Sequence, residues 1–197
     1  MELSEAKRIV NITGQERKSI GNYLTYRHTA INMLADFNPE NYEFLKDKGW
    51  YLPESLEDVK KDIEDFVNVY SAMYKNAKHH SLSDSIGYRE SKNLIRGTSV
   101  TRMKNLEGTS NQFLSMSTDE LIAKRFCEYG DSALVQVNVS SGVPFLNAEE
   151  YRGEYSDNEK EIIVAPFTRI SRKQDFGKKG DYNYYSIHID NPGIRPI

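Results

Sequence analysis

Cysteine is almost missing from this chain: Cys127 stands alone among 197 residues. No intrachain disulfide can form, and nothing supports a disulfide-stapled scaffold from an oxidising compartment. Long apolar runs are missing too. No stretch approaches the roughly 20 apolar residues that a membrane-spanning helix needs, and the opening MELSEAKRIV has no apolar h-region of an ordinary signal peptide. The expectation is a soluble protein without a membrane span. It is cytoplasmic, or it is secreted or delivered into a target cell by a route not written as an ordinary signal peptide. Neither sign of charge dominates, since 26 Lys and Arg stand against 29 Asp and Glu for a formal net charge of −3. That balance gives no strong sign of nucleic-acid binding or of a membrane-surface protein.

Several site motifs are missing as well. There is no GxGxxG after a first strand and no GxxxxGK[ST], which argues against a dinucleotide fold of the dehydrogenase kind and against a P-loop. There is no HExxH, Cys pair or EF-hand loop, and His79 and His80 have no third ligand, so no metal is expected. Cys127, following Phe126, reads as a small core or boundary residue, and Phe126 itself reads as core.

What is present divides by periodicity. Thr13 and Glu16 have capping-box spacing and predict a helix toward Tyr23, with a second short helix around His28–Ala35. From about Ser55 to Lys75, Leu56, Val59, Ile63, Phe66, Val67, Tyr70, Met73 and Tyr74 recur at steps of three and four, the pattern of an amphipathic helix. Beyond residue 90 the period shifts to two. Strands are predicted at Leu94-Ile95-Arg96, stopped by Gly97, then at 113-FLSMS-117, 133-ALVQVNV-139, 161-EIIVAPF-167 and 184-YYSIHI-189, with a short helix capped by Thr118 between the second and third. Pro166 ends the fourth strand or puts it at a sheet edge. No proline-rich or glycine-serine linker divides the chain. The expected fold is α+β, a single domain over 1–197 with a helical N-terminal lobe in 1–90 packed on a mainly antiparallel, two-sheet β core in 91–197. A monomer is expected.

Four pieces follow one another in the β-rich part: Arg96 at a strand end, the serine strand with Ser115 and Ser117, a loop rich in Tyr and Asp, and Glu159-Lys160-Glu161 at a strand start. Period-two geometry predicts Glu159 and Glu161 on one side. Taken alone, the glutamates also fit a solvated strand start, the serines ordinary hydroxyls on a half-exposed strand, and Arg96 a salt bridge.

In order and spacing these pieces resemble the mono-ADP-ribosyltransferases of the arginine-serine-glutamate type, a group with many bacterial toxins and effectors, and within it the Glu-x-Glu subgroup. The segment 20-IGNYLTYRHTAIN-32 is similar to the family's helical stretch in which tyrosines precede an Ile-Asn pair. The resemblance implies an ADP-ribosyltransferase-like fold and NAD as co-substrate, with no metal. It implies that Arg96 contacts the NAD pyrophosphate, Gly97 offers backbone atoms to the nicotinamide amide, and Ser115 holds Glu161 while Ser117 supports the same wall. Glu161 becomes the catalytic carboxylate on the nicotinamide-side ribose, and Glu159 engages the acceptor. The Glu at 159 implies an arginine of a target protein as acceptor, with Tyr155, or alternatively Tyr151, helping to recognise that target. Met116 departs from the family's middle threonine, and 126-FCEYGDS-132 is short for a loop closing over NAD. Other outcomes of the same resemblance are a different acceptor, including a nucleic-acid base, NAD hydrolysis without transfer, and a catalytically silent binding module.

Overall fold

The computed structural model describes residues 12–27, 55–79, 82, 85, 91–106, 108–110, 112–127, 129–151 and 160–191. Thr13 caps α1 (Gly14–Asn22): its hydroxyl accepts from the Glu16 amide and the Glu16 carboxylate accepts from the Thr13 amide, the reciprocal pair that satisfies two orphan helix donors. A π-helical turn, Tyr23–Arg27, continues it. The expected helix at 28–35 lies outside the described residues. The long helix α2 spans Leu56–His79.

The buried stripe of α2 differs from the apolar pattern. Ile63 and Val67 are exposed, whereas Asp62, Asp65, Val69, Ala72, Met73 and Asn76 are buried. Positions 62, 65, 69, 72, 73 and 76 still follow helical spacing, so the face is rotated. Polar residues are tolerated on it where they meet partners: Asn22 donates to Asp65 at 3.0 Å and Asn76 to the Phe145 carbonyl at 3.2 Å. Between α1 and α2, Lys75 and the Ser71 hydroxyl donate to the buried Glu16 at 2.7–2.8 Å. Burial works to raise the Glu16 pKa, but Lys75, the Thr13 amide and Ser71 outweigh it and hold the carboxyl below its usual value.

Eight strands follow: β1 (Leu94–Ser99), β2 (Gly108–Ser110), β3 (Leu114–Ser117), β4 (Ser132–Val139), β5 (Phe145–Asn147), β6 (Glu161–Val164), β7 (Thr168–Lys179) and β8 (Tyr182–Asp190), with α3 (Val100–Asn105) after β1 and α4 (Glu120–Arg125) after β3. The five predicted strands are present. Three were not anticipated: β2 and β5 are only three residues long, and β7 has no apolar alternation over most of its length. β1 runs through Gly97 instead of stopping there, and the cap of α4 is Asp119, whose carboxylate accepts from the Leu121 amide at 2.9 Å, not Thr118. β6 ends two residues before Pro166.

The strand order is β2-β7-β8-β4-β1-β3-β6-β5. All neighbours pair antiparallel except β4 with β8. Hydrogen bonding therefore joins the two expected sheets into one, through a β1–β3 pairing registered at Ile95 and Ser117 alone. The ends of that sheet nevertheless share a core: Leu114, Met116, Phe145, Ile162 and Val164 from one end pack in one cluster with Val135, Val137, Tyr185, Ile187 and Ile189 from the other. The opposite side of β3, β5 and β6 carries Phe113, Leu146, Ile163 and Ala165, which pack with Ile20, Tyr23, Val69 and Met73 of the helical lobe. Phe113 is the hinge of this contact, its ring centroid 5.0 Å from Tyr23 and 5.3 Å from Phe66.

Candidate active site

Alternation now places the serines. Ser115 and Ser117 share their side of β3 with Phe113, and Glu161 shares its side of β6 with Ile163, so all three face the helical lobe. Across the β3–β6 ladder Ser117 stands directly opposite Glu161, and Ser115 opposite Ile163. Ser117 is therefore the closer cross-strand neighbour of the carboxylate, with Ser115 one diagonal step away.

Arg96 lies on β1, the strand on the other side of β3. Its Nη1 donates to the Ser115 carbonyl at 2.6 Å. The Arg96 residue is half-buried. Burial lowers the Arg96 pKa from its ordinary value. Tyr23 and Glu161 act against that fall, and the Arg102 charge adds to it. A guanidinium remains charged under any of these influences. Two residues not singled out in the sequence thus belong to the surroundings of Arg96: Tyr23 from the π-helical turn and Arg102 from α3. The tyrosine lay within a segment already noted for family resemblance; the arginine had no pattern to mark it.

Glu161 begins β6 from an unusual backbone. Lys160 has φ 47°, the left-handed region that a side chain occupies at a cost. Its carbonyl accepts from the Thr118 amide at 3.3 Å, and its ammonium pairs with Asp119 at 3.1 Å. Asp119 is held in turn by its amide bond to the Ser117 hydroxyl at 3.0 Å. The residue before the carboxylate is thus clasped to the turn after the serine strand. β6 begins at Glu161, and Lys160 before it stands outside the strand. Glu159 and Tyr155 themselves lie outside the described residues.

Gly97 is explained by packing. A Cβ there would sit 1.8 Å from the Ala123 carbonyl oxygen and 2.8 Å from its carbon, so α4 lies backbone to backbone on β1. Phe126, expected in the core, is 57 % exposed at the end of α4, because the helix turns its buried side, Ile122 and Ala123, to the sheet. Cys127 is half-buried against the Ala133 carbonyl at 3.3 Å, and burial pushes its thiol pKa up. Tyr151 packs on the helical-lobe core with the Arg17 guanidinium 5.4 Å from its ring centroid. Burial pushes its pKa up to about 12. Among the described residues no group of three or more His, Cys, Asp or Glu is placed to hold a metal, and no helix is long and apolar enough to cross a membrane.

The arrangement offers a half-open guanidinium and a second arginine on one side, and a carboxylate flanked by hydroxyls on the other. Arginine forks suit phosphate oxygens, and a fixed carboxylate suits a centre where positive charge develops.

No protein-family model matches the sequence, and no curated protein sequence matches it. Solved structures do match. One is Vis, an ADP-ribosyltransferase toxin from Vibrio splendidus, in complex with the M6 inhibitor, at a TM-score of 0.61 and 18% identity over 92% of this chain and 75% of that one. Vis has also been solved in complex with agmatine. The Clostridium limosum C3 exoenzyme matches at a TM-score of 0.54 and 14% identity, covering 92% of this chain and 88% of that one. Plx2a, an ADP-ribosyltransferase toxin from Paenibacillus larvae, matches at 0.51 and 17%, covering 91% and 88%. The chain has the fold of these ADP-ribosyltransferases.

Proposed function

We propose that this protein is a mono-ADP-ribosyltransferase of the arginine-serine-glutamate type that uses NAD to modify an arginine of a target protein, in the manner of a bacterial toxin or effector. The observation that carries the proposal is the convergence of Arg96, the Ser115–Ser117 strand and Glu161 on three adjacent strands, in the fold that the Vis toxin shares.

In this reading Arg96 grips the NAD diphosphate, and Gly97 presents its backbone to the nicotinamide amide. Glu161 accepts a hydrogen bond from the 2′-hydroxyl of the nicotinamide-side ribose, oriented by Ser115 and with Ser117 opposite it. The bond between ribose C1′ and the nicotinamide ring nitrogen breaks, and nicotinamide leaves with the electron pair. The carboxylate stabilises the oxocarbenium-like centre that remains. An acceptor guanidinium nitrogen then bonds to C1′ and gives up one proton. Glu159 orients that guanidinium with two hydrogen bonds and helps take the proton, and Tyr155 contacts the target. The agmatine complex of Vis supports a guanidinium acceptor, because agmatine carries that group.

The test is incubation with labelled NAD and a cell lysate, followed by mass spectrometry. Label on arginines that vanishes with Glu161→Ala is the expected result. Label on another residue or on nucleic acid would reject the acceptor, free ADP-ribose alone would indicate hydrolysis, and no NAD turnover would indicate a silent module. Glu159→Gln is expected to suppress transfer to arginine more than hydrolysis.

A further inference from the structure

Exposed apolar side chains are not scattered over the β-rich part. Among the described residues six large hydrophobics are exposed: Ile63 and Val67 on α2, and Leu121, Phe126, Tyr129 and Phe176 on α4, the turn after it and the β7–β8 hairpin. β7 has 12 residues, more than any other strand. Residues 172–180 are exposed throughout. β2 pairs with β7 only at Thr168, Arg169 and Ile170, so the rest of β7 is an open-edged arm of the sheet, backed by β8, which is itself paired with β4.

The end of this arm lies beside α4. Lys124 of α4 lies 5.3 Å from the centroid of the Tyr182 ring, and Asn183 donates to the Ser132 carbonyl at 3.3 Å. Lys179 stands directly opposite Tyr182, so its side chain leaves the hairpin on the face turned to α4. The backbone of α4 in turn rests on Gly97, next to Arg96. Through α4, the end of the arm and the strand that carries Arg96 adjoin one corner.

Its charge differs from that of the whole. Arg172, Lys173, Lys178 and Lys179 of the arm stand against Asp175 and Asp181, in a chain of net charge −3. Lys173 is engaged by the Met103 and Lys104 carbonyls, and Lys124 by Glu120; Arg172, Lys178 and Lys179 of the arm and Arg125 of α4 are exposed, and of the three on the arm Lys179 shares the face turned to α4. The outer edge of β7 is guarded against strand addition by two register shifts and by Arg172 at φ 50°.

We propose that the corner formed by α4 and the β7–β8 hairpin is the docking surface for the protein that is modified, and that it takes an acidic protein surface with an apolar contact at its centre. The proposal rests on the transferase reading for the identity of the partner as substrate. Binding, however, is testable without catalysis.

The probes are three fluorescent ligands: a glutamate-rich peptide holding one arginine and two leucines, a lysine-rich counterpart, and a single-stranded oligonucleotide. Anisotropy is measured with the unaltered chain and with R125E/K179E and F176S variants. The glutamate-rich peptide is expected to bind in preference to the other two, weaken as salt is added, lose at least about ten-fold in R125E/K179E and lose several-fold in F176S. NAD cleavage by R125E/K179E is expected to be unchanged, while kcat/KM for modifying the glutamate-rich peptide falls with its affinity. Equal binding of both peptides, tighter binding of the oligonucleotide, or self-association that the variants abolish would each overturn the proposal. If the unaltered chain fails to cleave NAD, the enzymatic reading fails, and anisotropy alone decides the docking surface.

Discussion

The strands that carry the site and the arm that flanks it are built from opposite kinds of sequence. β3 and β6 are four residues each, and three of the four positions in each are buried. β7 has 12 residues, and its last eight are all exposed. A short strand with apolar residues facing two cores has only one register that keeps both faces dry. The solvated half of β7 is held by its backbone pairing with β8, itself paired with β4, and leaves its side chains exposed for contact. Chemistry that needs a carboxylate fixed within a fraction of an ångström fits the first region, and recognition fits the second.

The largest test of the comparison falls on Glu161. Replacing it with alanine is expected to lower NAD cleavage by about 10²–10³-fold, the usual loss when a transition-state charge partner is removed. Unaltered melting would accompany it, because the residue begins its strand and is only half-buried. Unchanged turnover would remove this carboxylate from the chemistry.

Next comes Gly97→Ala. The added Cβ meets backbone rather than a flexible side chain, so β1 or α4 must move. A loss of about 1–3 kcal/mol is expected, read as a lower melting temperature, with NAD affinity falling as Arg96 is displaced. A stable variant with intact affinity would mean that α4 yields easily and that β1 is less rigid than the interior-strand argument requires.

These two positions show what was legible from residues alone. Glu161, the serine strand and β4 announce themselves through alternation beside turn signals, and the order of Arg96, Ser115 and Glu161 carried the family resemblance. Ala123 over Gly97 did not, because a backbone contact between distant segments leaves no periodic trace. The left-handed Lys160 was equally hidden: lysine is not a residue that signals φ > 0. β7 was missed because 171-SRKQDFGKK-179 satisfies its backbone with β8 while burying almost nothing. The rotated face of α2 was misread because Asp62, Asp65 and Asn76 look like solvent positions until the groups that meet them are known.

The packing of α1 on α2 within the helical lobe is tested at Glu16. Glu16→Gln is expected to cost about 1–2 kcal/mol, less than a fully buried charged pair because Lys75 is partly open to water. Since folding lowers the Glu16 pKa, its contribution is complete above the ordinary carboxylate value and is lost as pH falls through the depressed one. Acid melts of the variant should therefore be flatter than those of the unaltered chain across that window. Parallel curves would show that the ion pair does not hold the lobe.

A smaller effect is expected at the clasp before Glu161, which ties the start of β6 to the turn after β3. Asp119→Asn keeps an N-cap side chain but removes the partner of Lys160, and an exposed pair of this kind contributes little to stability. Melting should barely move, while kcat for NAD cleavage falls several-fold and KM holds. Lys160→Arg should retain the rate. Lys160→Gly removes the charge and relieves the left-handed backbone, so it should be near neutral in stability and still reduce kcat. Equal rates in all three variants would show that the β3–β6 ladder alone positions the carboxylate.

The smallest effect belongs to the arm. Phe176 is 58 % exposed and sits between the paired positions Asp175 and Gly177, at a register shift of the hairpin, so Phe176→Ser removes little buried surface. Its stability should change by no more than about 0.5 kcal/mol, the ordinary range for a surface substitution, and NAD cleavage should be unaltered. Lys179→Glu should be as silent in both assays. A clear loss of melting temperature in either variant would make the arm part of the packed body, erase the contrast with the interior strands, and take from this corner the freedom that docking requires.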